Sequence, residues 1–175
     1  MVCVWMSKGR QKHSLLYYLL GAVWVSALVF LDQRIKTLVT EEFSGGKTSQ
    51  LIPGILGLGY VENRGMAFGL LQNAQVLFVV LTVIILLFLI LAYHAVPEKK
   101  RFFPLSAALV LIMAGAVGNF IDRIRLGYVV DYLRLEFMEF PLFNLADCFL
   151  TWTAVATAVL LLFFYKNEDL KQIHL

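Results

Sequence analysis

The sequence predicts a mainly α membrane protein with four transmembrane helices, and three observations carry that prediction. Hydrophobic residues make up 60% of the chain and charged residues only 15%, with a mean hydropathy of +0.77. A soluble domain of 175 residues has too little interior to hide that much apolar surface. Stretches free of Asp, Glu, Lys and Arg also recur at the length a bilayer core demands, about 20 helical residues. Ser14 to Leu31, the run between Arg64 and Glu98, Phe102 to Ile121, and Cys148 to Tyr165 are all charge-free. Finally, Lys8, Arg10 and Lys12 precede the first stretch, and Lys99, Lys100 and Arg101 separate the second from the third. By the positive-inside rule both termini and the 94–103 loop lie in the cytoplasm.

The expected spans are 14–31, 74–93, 104–121 and 146–165, within a single integral-membrane domain covering 1–175. The first has a basic start and a passable cleavage triplet at Val25-Ser-Ala27. Its apolar run continues to Leu31, which favours an uncleaved signal-anchor over a signal peptide. A segment of roughly forty residues, 32–73, follows on the outer side and is long enough for structure of its own. Within it, Leu51 to Val61 has the Gly- and Pro-broken apolar pattern of short strands. The second span leads through a basic hairpin, Pro97 to Arg101, into the third, and a second outer segment, 122–145, holds a Val- and Tyr-rich stretch that reads as part strand.

The net charge of +3 is explained by those topogenic clusters, so nucleic acid is not an expected partner, and no obligate protein partner is indicated. Cys3 and Cys148 fall at opposite membrane faces and cannot pair. Neither CxxC nor HExxH occurs, so no metal or other cofactor is expected. Gly46-Lys47-Thr48 has the last letters of a P-loop, but Glu41 stands where the first glycine belongs. A serine–lysine peptidase lacks a lysine held against an outer-face serine.

The topology gathers polar residues at one face. The first and third spans leave the membrane where the second and fourth enter it. Asp32, Lys36, Asn63, Asn119, Asp122, Arg123, Asp131, Asn144 and Asp147 therefore collect on the outer side. Asp131 and Asp147 have no span between them. Carboxylates beside hydrocarbon are costly and mark function, and two close together can share one proton, the chemistry of an aspartic peptidase. Against this, Asn144 and Asp147 have capping-box spacing at the start of the fourth helix. The i, i+4 pair Asp32 and Lys36 reads as an ordinary helical salt bridge at the membrane edge, worth a few tenths of a kcal/mol. Asp122-Arg123 reads equally as an ion pair with a cap or as support for the aspartates. Gly115 and Gly118 read as helix-packing positions. A proton-coupled carrier would also keep carboxylates, but nearer the bilayer midplane.

Taken together, the blocks Asp32-Gln-Arg-Ile-Lys36, Asn63-Arg-Gly-Met-Ala-Phe-Gly69, Gly118-Asn-Phe-Ile-Asp-Arg123, Val129-Val-Asp-Tyr132 and Phe143-Asn-Leu-Ala-Asp147 resemble bacterial lipoprotein signal peptidase (signal peptidase II). They occur in the family's order, and the resemblance spans residues 14 to 165. It implies an aspartic endopeptidase with Asp131 and Asp147 catalytic, and Asp32, Lys36, Asn63, Gly65, Asn119, Asp122, Arg123 and Asn144 supporting or contacting substrate. It implies prolipoprotein substrates that already carry a diacylglyceryl group, membrane lipid as the surroundings, and a bacterial inner membrane. It further implies a small outer-face β-cradle and a short interfacial helix. Ala114, Met66 and Phe140 depart from the usual family residues, and none of them bears a carboxylate.

Overall fold

The computed structural model describes residues 13–65 and 74–173. Four of its helical segments are long and apolar enough to cross a membrane. These are α1 (Leu15–Phe43), α2 (Gln75–Ala95), α3 (Phe103–Leu126, preceded by a 3-10 turn at Lys100–Phe102) and α4 (Leu145–Val159, continued by a π-helical turn, Leu160–Phe164). A short α5, Asn167–Leu170, closes the described chain. Most of the helical surface is apolar and turned outward, with Trp24 61%, Leu91 62% and Trp152 74% exposed, as expected where lipid is the solvent. The exception is α3, which packs against α1, α2 and α4 and carries Leu105, Leu109, Met113 and Ala114 into the interior.

The first helix departs from expectation. A charge at Asp32 ends the hydrocarbon-compatible run, yet α1 continues unbroken to Phe43. At 29 residues it is about 43 Å long, well beyond a hydrocarbon core of about 30 Å. Helical spacing explains the extension, because Ile35, Val39 and Phe43 recur every four residues on one stripe. They pack with Val130, Tyr132, Leu58 and Tyr60. The charge marks where the apolar run ends, and the helix persists because the sheet covers that stripe.

That sheet has three antiparallel strands in the order β1 (Ser49–Ile52), β2 (Leu56–Asn63), β3 (Val129–Leu135). The β1–β2 turn uses Gly54 at φ 71°. Val61 pairs with Asp131 and Asn63 with Val129, so the end of β2 lies beside the start of β3. Entry into β3 follows a sharp stop to α3 at Gly127, whose φ of 78° is the left-handed conformation that glycine adopts without strain. Both outer segments therefore contribute strand, as their composition predicts. Among the described residues no short helix stands between β2 and α2. The expected interfacial helix has no counterpart in 32–65, and Met66 to Gly69 lie outside the described residues, as do Cys3, the basic N-terminal cluster and His174.

The opposite end of the bundle is tied differently. Ser14 caps α1, accepting from the Tyr17 N–H, and itself donates from N–H and hydroxyl to the Glu98 carboxylate at 2.6 Å each. Tyr17 stacks on Tyr93 with ring centroids 4.5 Å apart. Arg101 pairs with Asp169 at 2.9 Å and lies over the Phe164 ring.

Candidate active site

Asp147 owes its position to the start of α4. Asn144 is the N-cap, and the reciprocal bonds of a capping box are both present. The Asn144 side-chain oxygen accepts from the Asp147 N–H at 2.9 Å, and Asp147 Oδ2 accepts from the Asn144 N–H at 3.1 Å. Two further elements satisfy the neighbouring N–H groups, which a helix start leaves without partners. The Leu145 N–H donates to the Tyr132 hydroxyl at 3.3 Å, and the Ala146 N–H donates to Asp32 Oδ1 at 3.2 Å. Thus β3, α1 and the cap residue each hold one N–H of the turn that presents Asp147.

Asp131 projects from β3 on the face opposite Val130 and Tyr132, as strand alternation requires. It is 2% exposed. Asn63 donates to its Oδ2 at 2.8 Å and Asn144 donates to its Oδ1 at 2.6 Å. Asn119 donates to Asp147 Oδ1 at 2.7 Å. Each of the four oxygens of the aspartate pair therefore receives an N–H, and among the described residues none forms an ion pair with a cation. Burial and the nearby Asp147 charge push the Asp131 carboxyl up to about 7, against the opposing pull of its asparagine donors and Lys36.

Behind the pair lies a buried ionic cluster. The Lys36 ammonium donates to Asp32 Oδ2 at 3.0 Å, Asp122 Oδ2 at 2.9 Å and the Asn119 side-chain oxygen at 2.9 Å, which uses all three of its protons. Gln33 donates to Asp122 at 2.8 Å, and Asp122 also accepts from the Val130 N–H at 3.2 Å. Asn144 donates a second bond to the Asn119 oxygen at 3.2 Å. Gly118 makes room for this cluster, since a Cβ there would stand 2.6 Å from Asp32 Oδ2. Gly115 serves the packing of α3 on α4 in the same way.

Two expectations change in this light. Asp32 and Lys36 do form an i, i+4 bridge, but it is not an ordinary bridge at the membrane edge: the two residues are 0% and 2% exposed and share Lys36 with Asp122. The helix and sheet beyond Asp32 bury what sequence alone leaves in solvent. Asp122 pairs with Lys36 rather than Arg123. The Arg123 guanidinium lies over the Phe78 ring at 5.0 Å and reaches the Asn119 carbonyl at 3.5 Å. Gly65 is buried and donates its N–H to the Asn63 side-chain oxygen at 3.0 Å.

All ten residues singled out in the sequence thus fall in one connected region. Sequence reasoning missed two participants. Gln33 sits inside a recognised block as a neutral amide next to two charged positions, which is its only signal. Tyr132 points away from Asp131 and meets α4 only through the tertiary fold, so alternation gives no hint of it. Among the described residues no three His, Cys, Asp or Glu side chains converge as metal ligands.

Comparison with known proteins agrees with this geometry. Residues 24–164 match the family model for signal peptidase (SPase) II. The chain is 40% identical over 147 residues to a lipoprotein signal peptidase of Streptococcus thermophilus, covering 84% of this chain and 93% of that protein. It is 41% identical over 155 residues to that of Enterococcus faecalis, covering 89% of each. A solved structure of a bacterial membrane enzyme superposes with a TM-score of 0.74 at 29% identity, covering 87% of this chain and 92% of that one. A match to the family model over most of the chain, with relatives of this identity along nearly their full length, places the protein: it is a multi-pass membrane protein and belongs to the signal peptidase II family of lipoprotein signal peptidases.

Proposed function

We propose that this chain is an aspartic endopeptidase that removes signal peptides from diacylglyceryl-modified prolipoproteins, cutting just before the lipidated cysteine. The observation that carries the reading is the aspartate pair itself, with four carboxylate oxygens oriented by asparagine and backbone N–H donors and an ionic cluster behind it. The surrounding charge favours a shared proton. Among the described residues Asp32, Asp122, Asp131 and Asp147 face Lys36 and Arg123 as their cations, so full ionisation would leave the region with excess negative charge. A proton held by the pair relieves it.

In the mechanism, the ionised member of the pair takes a proton from water as the water oxygen attacks the scissile carbonyl carbon. The protonated member donates to the carbonyl oxygen. As the C–N bond breaks, a proton passes to the departing amine, and the pair ends with one proton, as it began. No covalent intermediate forms. Asn144 and Asn119 each touch two groups of the centre and hold the carboxylates in register; Asn63 fixes the outer edge of Asp131.

The substrate's two acyl chains, held in the leaflet by about 0.8 kcal/mol per buried methylene, confine the scissile bond to one depth. Location then does much of the work of specificity. On this reading both termini are cytoplasmic, and the aspartate pair faces the outer side of a bacterial inner membrane.

The test is mass spectrometry of a precursor peptide incubated with purified protein. Cleavage just before a lipidated cysteine is expected, with Asp131→Asn and Asp147→Asn folded but at least about a thousandfold slower, the loss of acid–base assistance together with the water-activating base. Equal cleavage of the unlipidated peptide contradicts the lipid argument, and near-normal turnover by either variant removes that residue from the pair.

A further inference from the structure

At the end of the bundle away from the aspartates, a cavity of about 470 Å³ opens between the start of α1 and the α2–α3 hairpin. Its volume falls in the range of small-ligand sites, roughly 300–1,000 Å³. Tyr17 and Ser106 form a polar floor, their hydroxyls 3.0 Å apart, and Ser106 is only 8% exposed. Lys99 and Lys100 also line it. The one acid in the lining, Glu98, has both oxygens engaged by Ser14. Lys99 meets a neutral amide, the Gln172 oxygen at 2.6 Å, and among the described residues the Lys100 ammonium has no hydrogen-bonding or ionic partner. Beside the lysines Phe103 is 72% exposed.

We propose that this cavity is a binding site for an anionic phospholipid of the leaflet at this end. The lysines take the headgroup phosphate, Tyr17 and Ser106 take headgroup hydroxyls, and the acyl chains run along Phe103. Three features argue together. Among the described residues the two ammonium groups go without a carboxylate partner. They border an open depression floored by two hydroxyls, and an exposed apolar ring lies beside it. The first turn of α3, with Phe102 at its N-cap offering no oxygen and no acid in the turn, adds a favourable dipole for a phosphate. Basic pockets between helices near the membrane surface are where anionic headgroups bind. The site is independent of the peptidase reading, because none of its residues belongs to the aspartate network.

The experiment is native mass spectrometry of the full chain in neutral detergent, titrated with short-chain phosphatidylglycerol or with phosphatidylcholine of the same chains. The expected result is at least a tenfold preference for phosphatidylglycerol. Lys99→Gln/Lys100→Gln should abolish that preference while leaving peptide cleavage in neutral detergent unchanged. Lys166→Gln/Lys171→Gln, which removes the same charge elsewhere at this end, should keep the preference. Equal binding of the two lipids overturns the proposal. So does an equal loss in the second variant, which assigns the effect to diffuse surface charge. Displacement by glycerol phosphate at the same concentration as the lipid assigns the site to a free anion and overturns it as well.

Discussion

At the aspartate end of the bundle Asp32, Lys36 and Asp122 are at most 3% exposed, whereas at the other end the Arg101 and Asp169 side chains keep 40% and 17% of their surface. Both ends join helices through ion pairs, but the physics differs. The exposed clamp gains little, because water screens it and two long side chains must be immobilised. The buried cluster has given up hydration. Its stability depends on every proton and lone pair being matched, and it fails steeply when one partner is lost. The buried end is the one whose geometry positions two carboxylates.

Breaking one partner at each end separates the two regimes. Lys36→Met leaves Asp32 and Asp122 buried with no cation, and a loss of about 3–5 kcal/mol is expected. Arg101→Ala should cost about 1 kcal/mol or less. Thermal unfolding in the same detergent compares them, and similar losses would mean that the buried cluster is better hydrated than its geometry implies. Cleavage should fall with Lys36→Met beyond what unfolding explains, because Asn119 loses the ammonium that orients it toward Asp147.

How much of this could be read beforehand follows from which interactions are local. The four spans are legible because hydrocarbon imposes a length and a charge-free composition on each. Asp131 and Asp147 stand out because a carboxylate near lipid is expensive wherever the chain goes next. The extension of α1 is not legible, since a charge at Asp32 looks like an end until the stripe Ile35, Val39 and Phe43 is matched with a sheet formed by residues up to about a hundred positions away. The weight of the Asp32–Lys36 bridge is hidden for the same reason, as burial is a property of the assembled fold. The sheet was half visible in composition, but its pairing of Asn63 beside Asp131 was not.

A pH series sharpens the contrast, because at the exposed end hydrogen bonds from Ser14 and Arg101 hold the Glu98 and Asp169 carboxyls below their ordinary values. An aspartate ordinarily titrates near 3.9, and Asp131 is pushed up to about 7. Between those values the folded protein holds a proton that the unfolded chain releases. Stability should therefore decline as pH rises from about 4 to about 7 and then level off. Asp131→Asn should reduce that slope, leaving the part due to Asp147, the other member of the pair. For kcat/KM, the one-proton state of the pair is lost as pH climbs through about 7, giving an upper limb that falls about tenfold per unit. A rate that stays flat to pH 9 would place the working proton elsewhere.

The smallest expected effect belongs to Tyr132→Phe. It removes only the acceptor for the Leu145 N–H and keeps the ring packed against Val39 and Val130. A few-fold drop in kcat with KM unchanged, and a stability loss of about 1 kcal/mol, would fit a group that aims the start of α4. A change confined to stability would make the hydroxyl purely structural.

The unbroken length of α1 has one more implication. Its start is moored by Glu98 at one surface, and seventeen residues later, about 26 Å along the axis, Asp32 caps the helix that carries Asp147. The helix acts as a measuring rod whose zero is the far leaflet. On the proposed function, a substrate held by its acyl chains takes its depth from the near leaflet instead. The two references agree only at a matching bilayer thickness, so the membrane itself becomes a part of the alignment between scissile bond and aspartates.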